Sequence, residues 1–300
     1  KVVGTALAGK AWEGHVNAGE CVKIMTGAVM PLGLNTVIAQ EFTTVNTSGI
    51  ETIVEIPAGL LQIGDNRRKA GEDLQRGLPA LTVGNALTPA ALGLVASLGI
   101  AKVKVYRQLR VAYFSTGDEV LSLGDAMREG AVYDSNRYTV FGLLSRMGCE
   151  VIDMGVVRDD PVLLEQAFSK ASETADVIIT SGGVSVGEAD FTKAMMKKLG
   201  DVAFWKIAMR PGRPMAVGRL GNCILFGLPG NPVAVMVTFL AFVKPALLQM
   251  MGGLPSSTPY LRAKSAVALR KKPGRTEYQR GFVRALPDGT LQVDAAGNQG

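Results

Sequence analysis

Between residues 109 and 256, short apolar runs alternate with segments of helical spacing, and this alternation restricts the fold more than any other feature of the chain. The runs are RVAYFS, EVIDMGVV, DVIITSGG and VAFWKIAM. Helical spacing lies between them near 135–147, from Pro161, and near 190–199. Strand–helix–strand order predicts a doubly wound, mostly parallel sheet covered by helices on both faces, an α/β fold. MAVGRL and CILFGL flank Gly221-Asn222, a hairpin signal, and a long helix is expected from Pro232.

Smaller β domains flank this block. Residues 1–72 carry the runs CVKIM, TVIAQEF and ETIVEI between turn signals and end in the charged loop Gly64–Asp73. Residues 73–108 read as a connector, with a helix that Thr88 caps, Pro89 opens and Gly99 stops. Residues 257–300 return to β, with LRAKSAVAL, YQRGFVRAL and TLQV around Asp288-Gly289, as an unfinished barrel-like domain.

Composition narrows the function classes. Hydrophobic residues reach 47% and charged residues 19%, which favours a sizeable core over disorder. The net charge of +6 suits an anionic ligand, and no basic run is interleaved with aromatics as nucleic-acid binding would require. Cys21, Cys149 and Cys223 form no CxxC pair and sit in apolar runs, so buried thiols in a reducing cytoplasm are expected. No membrane span is expected, because the best apolar stretch, from Val235 to Met251, is interrupted by Lys244 and Pro245. His15 is the only histidine, which removes His triads and most zinc sites.

In an open α/β sheet, ligands bind outside the carboxyl ends of the strands. The loops expected there are rich in chemistry. Ser115-Thr116-Gly117-Asp118-Glu119 follows RVAYF, and either carboxylate can hold a metal or cap the next turn. Tyr133-Asp134-Ser135-Asn136-Arg137 opens a helix; Asp134 or Ser135 is an N-cap, and a polar run of this length leaves side chains over for a ligand. In Arg158-Asp159-Asp160-Pro161, Asp160 caps a helix and Asp159 is left free for function. The segment from Thr180 to Asp190 is the most specific. Gly182-Gly183 brings backbone amides towards an anion, Ser181 and Ser185 add hydroxyls, and Glu188 and Asp190 return negative charge that a metal would bridge. Lys206, Ala208 and Arg210 are expected on one face of a strand, with Arg213 completing a cationic site. Pro229-Gly230-Asn231 begins the long helix, whose amides favour an anion. Thr26, Arg67-Arg68 and Arg275 are weaker signals.

Taken together, IMTGAVMP, RRKAGEDL, FSTGDEV, YDSNR, RDDP, TSGGVSVGEADFT, FWKIAMRPGRP, GLPGNPV and PGRTEYQRG resemble, in family order over nearly the whole chain, the molybdopterin molybdenumtransferases, bacterial MoeA enzymes related to the gephyrin E domain. The resemblance implies a sheet domain of the molybdopterin-binding type. It implies Mg2+-dependent insertion of molybdate into adenylylated molybdopterin with release of AMP, in a cytoplasmic homodimer that receives its substrate from the preceding adenylyltransferase. The residue roles it implies are Glu119, Asp159, Asp190, Lys206 and Arg210 in catalysis, and Glu119, Asp159, Glu188 and Asp190 at the metal. Thr26, Ser115, Thr116, Asp134, Ser135, Ser181, Gly182, Gly183, Ser185, Arg213, Pro229, Gly230, Asn231 and Arg275 would contact the ligand. The family's SAMDGYA motif, with its active-site Asp, precedes the point where this chain begins, and further serines follow the GNQG stretch where it stops, so these residues are expected to hold part of the molybdate site. Arg210 and Arg213 stand where the family usually has Lys. Two other readings share parts of the pattern: a molybdopterin adenylyltransferase, which lacks the flanking β segments and the GEAD form of the loop, and a non-catalytic gephyrin-like scaffold, which has no need of the acidic cluster.

Overall fold

The computed structural model describes residues 1–183, 191–254, 259–271 and 273–297, and the chain separates into two units, Lys1–Ala80 and Leu81–Gly300. In the first unit, β1 (Val2–Ala6) and β2 (Cys21–Ile24) pair in parallel, while β3 (Thr44–Ser48) and β4 (Glu51–Glu55) form an antiparallel hairpin. Gly49 turns that hairpin at φ 59°, which a residue with a Cβ adopts only under strain. The expected strand TVIAQEF is instead a loop and a short 3-10 turn, Gln40–Phe42. Its backbone is bonded elsewhere: Val37 N–H donates to the Asp65 carbonyl at 3.0 Å, and Asn66 Nδ2 donates to the Val37 carbonyl at 2.8 Å. Cys21 is half-buried rather than buried, because it lies on a short strand of this small unit.

The second unit begins with α1 (Pro89–Ser97), whose N-cap Thr88 accepts from Ala91 N at 3.3 Å. Next come β5 (Arg110–Thr116), the short pair β6 (Val120–Leu121) and β7 (Val132–Tyr133), α2 (Ser135–Arg146), β8 (Glu150–Val157), α3 (Pro161–Thr174), β9 (Val177–Ser181) and α4 (Phe191–Leu199). They are followed by β10 (Asp201–Lys206), β11 (Met209–Arg210), β12 (Pro214–Leu220), β13 (Cys223–Leu228), α5 (Pro232–Thr238) and α6 (Lys244–Met250). A 6-stranded sheet has the order β10-β12-β13-β9-β5-β8, and β12 alone runs against the others. β12 and β13 form the expected hairpin about Gly221-Asn222.

The period of two along each strand sends alternate side chains to opposite faces. Val111, Tyr113, Val177, Ile179 and Phe226 pack with α2 and the α5–α6 helix on one face. Ala112, Phe114, Ile178 and Leu225 pack with α3 and α4 on the other. Phe114 meets Phe168 of α3 edge-on, with ring centroids 5.1 Å apart. Such a pair adds about 0.5–1.5 kcal/mol beyond its buried area.

The helix from Pro232 is not interrupted at Lys244-Pro245. A π-helical turn, Phe239–Val243, joins α5 to α6, and the wide turn relieves the clash that a proline ring otherwise makes with the carbonyl four residues back. The resulting Pro232–Met250 helix is long and apolar enough to cross a membrane by length and composition. Val235, Phe239, Val243 and Leu247 on it are fully buried in the sheet core.

The chain after the sheet forms β14 (Lys264–Ser265), β15 (Thr276–Glu277), β16 (Gly281–Ala285) and β17 (Leu291–Ala295). β14 and β16 flank β17, whereas β15 pairs in parallel with β11.

Candidate active site

β5, β8, β9, β13 and β10 all point the same way, so the loops after them collect at one edge of the sheet. Three helices that start there, α2, α3 and α5, are each capped by the polar residue the sequence puts before them. Asp134 accepts from Arg137 N at 3.0 Å, Asp160 from Val162 N and Leu163 N at 2.9 Å, and Asn231 from Val233 N at 3.0 Å and Ala234 N at 3.1 Å. These caps leave Asp159, as expected, without a structural duty of that kind.

Asp159 is half-buried and joins two loops. Its backbone N–H donates to Asp118 Oδ1 at 3.3 Å, and its Oδ1 accepts from the Thr192 hydroxyl at 3.3 Å. Glu119 curls back over Gly117, where a Cβ would stand 2.6 Å from its Oε2. Burial pushes the Asp159 carboxyl above the usual carboxylate range, and the neighbouring Asp118 and Glu119 charges push the same way against the Thr192 bond. Among the described residues no three His, Cys, Asp or Glu side chains are grouped closely enough to hold a metal by themselves. Ser185, Glu188 and Asp190 lie outside the described residues.

Ser115 and Ser181, at the ends of adjacent strands, are buried and bonded to one another at 3.1 Å. Both also bond the Tyr113 hydroxyl, at 2.9 and 2.7 Å. Burial raises the Tyr113 pKa, so the ring stays a neutral phenol. These hydroxyls form a floor beneath the loops rather than a surface. Tyr113 went unnoticed in the sequence, although it lies two residues before Ser115 and so on the same strand face. Above the floor, Gly182 and Gly183 have φ 89° and 62°. A Cβ on Gly182 would stand 2.3 Å from the Thr116 carbonyl, and one on Gly183 would stand 2.4 Å from Thr192 Cβ. The glycine pair is therefore fixed by its protein neighbours. A Cβ on Gly230 would meet only Gly182 Cα, at an ordinary 3.9 Å, and the Gly230 carbonyl accepts from Asn136 Nδ2 at 2.8 Å. Pro229 is buried, while Gly230, Asn231 and Ser135 are exposed.

The basic loop differs from its expected form. Lys206 ends β10, opposite Pro214, and the strand does not continue to Arg210. Ile207 N–H instead closes the loop onto the Arg213 carbonyl at 2.8 Å, and β11 takes a new partner. Thr276 N–H donates to the Ala208 carbonyl and Tyr278 N–H to the Arg210 carbonyl, both at 2.8 Å, so the segment beginning at Arg275 runs beside the loop. Lys206, Arg210, Arg213 and Arg275 are exposed. Among the described residues none of them forms an ion pair. An open cavity of about 400 Å³ below the loop is lined by Ala203, Ile207, Met215, Val217 and Phe242, with no group to hold an anion. Thr26 is exposed on a turn after β2 of the first unit.

A glycine-lined sheet edge thus lies beside two acidic loops and a neighbouring basic loop. Comparison with known proteins is specific. Residues 112–249 match a probable molybdopterin binding domain, and residues 2–99 match the MoeA N-terminal region, domains I and II. A Haemophilus influenzae molybdopterin molybdenumtransferase is 45% identical over 300 residues, 100% of this chain and 73% of its own length. The Nostoc protein of that name is 35% identical over 99% of this chain and 68% of its own length. A crystal structure of the molybdopterin biosynthesis MoeA protein from Pyrococcus horikoshii superimposes with a TM-score of 0.74 at 27% identity, covering 97% of this chain and 70% of that one. The likeness spans both units and includes every loop of the sheet edge, and the chain belongs to the molybdopterin molybdenumtransferase (MoeA) family.

Proposed function

We propose that this chain inserts molybdate into adenylylated molybdopterin and releases AMP, a step of molybdenum cofactor biosynthesis. The observation that carries the reading is the sheet edge itself. The Asp118–Asp159 bond draws acidic loops beside a glycine pair, with a separate cationic loop after β10. The half-buried backbone of Gly183 and the exposed backbone of Gly230 suit the phosphates. Lys206, Arg210 and Arg213, with Arg275 on the neighbouring segment, suit the four oxygens of molybdate. Each charge-assisted hydrogen bond contributes about 1.5–3 kcal/mol.

The site chemistry fits Mg2+. Asp159 carries a raised pKa partly because Asp118 and Glu119 are close, and a divalent cation relieves that crowding. Mg2+ usually takes one or two carboxylates and completes its shell with phosphate oxygens and water, so a full protein cage is not needed. Glu119 and Asp159 would hold it, joined by Glu188 and Asp190 of the glycine loop. When bound, it supplies positive charge to the phosphoanhydride as AMP departs. Asp118 holds the Asp159 backbone, and Thr192 orients its carboxylate. On this reading the chain works as a cytoplasmic homodimer and receives its substrate from the adenylyltransferase one step earlier.

The test is turnover of adenylylated molybdopterin with and without molybdate and Mg2+. AMP release that requires both, with molybdenum retained on the pterin, is the expected result. Formation of adenylylated molybdopterin from ATP would assign the earlier step, and binding with no turnover would assign a scaffold.

A further inference from the structure

Tyr113, Ser115 and Ser181 close a ring of hydrogen bonds in the core. The phenol oxygen lies 2.9 Å from Ser115 Oγ and 2.7 Å from Ser181 Oγ, and the two serine oxygens lie 3.1 Å apart. Tyr113 is 1% exposed and each serine 2%. Strand register builds the ring. Ser115 and Ser181 are partners on β5 and β9, and Tyr113, two residues earlier on β5, shares their face and is long enough to reach both.

Each hydroxyl has one proton to donate. Three protons serve three contacts, so neither serine has an O–H left for a ligand. The phenol keeps its proton, because burial opposes its ionisation and the nearby Asp134 and Asp153 charges add to that. The ring also meets the site. Ser181 is the last residue of β9 and leads into Gly182, whose N–H donates to the Leu228 carbonyl at 3.1 Å. The turn is thus held by its backbone at Gly182 and by a side chain at Ser181.

We propose that Tyr113 is a positioning residue, whose hydroxyl acts through Ser181 to set the course of the Gly182-Gly183 turn for an anionic ligand. The inference rests on the functional reading above, and it makes Ser115 and Ser181 tethers rather than ligand contacts. Room for error in that turn is small, since a Cβ on Gly182 would stand 2.3 Å from the Thr116 carbonyl. Tyr113→Phe keeps the packing of the aromatic ring and removes only the hydroxyl. It leaves the serines one mutual bond and one buried O–H without an acceptor, so Ser181 is no longer fixed.

A double-mutant cycle between Tyr113→Phe and Ser181→Ala tests this on the full chain. AMP affinity is read by calorimetry, and kcat and KM from turnover of adenylylated molybdopterin, at a temperature where melting curves show every variant folded. Each single variant is expected to bind AMP at least tenfold more weakly, about 1.4 kcal/mol. KM should rise in step, with a smaller change in kcat. The double variant should match the single ones within twofold, because all three break the same ring. Losses that multiply in the double variant would give Ser181 its own contact with the ligand and overturn the inference. Unchanged AMP affinity and KM in Tyr113→Phe, with only a lower melting temperature, would make the ring a piece of core and overturn it as well. Both outcomes leave the functional reading in place while the wild type releases AMP. A wild type that neither binds nor releases AMP overturns both.

Discussion

The Asp118 carboxylate accepts the backbone N–H of Asp159 across 3.3 Å, so the loop after β5 fixes the loop after β8. The acidic cluster thus follows from strand order, since these strands are neighbours in the sheet. Asp159 keeps its proton to higher pH in the folded chain than in the unfolded one, because of burial and then of Asp118 and Glu119. Its ionisation therefore opposes folding: the contribution favours the fold below the ordinary carboxylate pKa and is lost as pH rises through the raised value. Asp159→Asn should leave thermal stability at neutral pH unchanged or raise it by up to about 1 kcal/mol. AMP release should fall by roughly a hundredfold or more. Melting curves and turnover of one preparation check both halves.

Two glycines at the edge separate fold from ligand. Gly183→Val places a Cβ at φ 62° and 2.4 Å from Thr192 Cβ, so it should destabilise the chain by at least about 1–2 kcal/mol with no ligand present. Gly230→Ala meets only an ordinary 3.9 Å contact and should melt like the wild type. Its added methyl should nevertheless weaken AMP binding several-fold, as measured by calorimetry. Unchanged AMP affinity would move the phosphate away from Gly230.

A substitution at Arg210 tests whether the basic loop serves molybdate or the nucleotide. The Arg210 carbonyl is held by Tyr278 N–H, so truncating its side chain should not release the loop. Arg210→Ala should raise the molybdate concentration needed for half-maximal turnover at least tenfold, with the loss of about 1.5–3 kcal/mol expected for a charge-assisted bond. Excess molybdate should restore the rate, and affinity for adenylylated molybdopterin should barely change. If pterin affinity collapses instead and molybdate does not rescue, the loop is a phosphate clamp.

Asp176 gives a pH test of the fold alone. Arg107 grips both its oxygens, at 2.6 and 2.7 Å, and Arg110 N–H adds a bond at 2.9 Å. The Arg107 bonds lead in holding the carboxyl down to about 2. The stabilisation is therefore complete above the ordinary carboxylate pKa and is lost as pH falls through about 2. Arg107 is 65% exposed, so solvent screening limits the contribution to roughly 1 kcal/mol. Asp176→Asn should lower stability by that amount at pH 7 and by progressively less in acid, read from urea midpoints.

The alternation of apolar strands and helices made the parallel sheet legible, and the caps Asp160 and Asn231 were legible from the prolines after them. The course of the basic loop was not. The strand pattern runs on past Lys206, but Ile207 turns back to bond Arg213, a contact that depends on where β12 begins. Likewise, TVIAQEF has strand composition, yet its backbone is taken by Asp65 and Asn66, far along the chain. Ser115 and Ser181 read as ligand hydroxyls because their burial depends on Tyr113, a partner that only the sheet register supplies.

The most direct test is molybdate-dependent AMP release from adenylylated molybdopterin by the wild type and by Asp159→Asn. The account predicts stoichiometric AMP and molybdenum-loaded pterin from the wild type in Mg2+, and both formed at least about a hundredfold more slowly by the variant despite normal AMP binding. Equal turnover by the two proteins, or AMP release indifferent to molybdate, would contradict it.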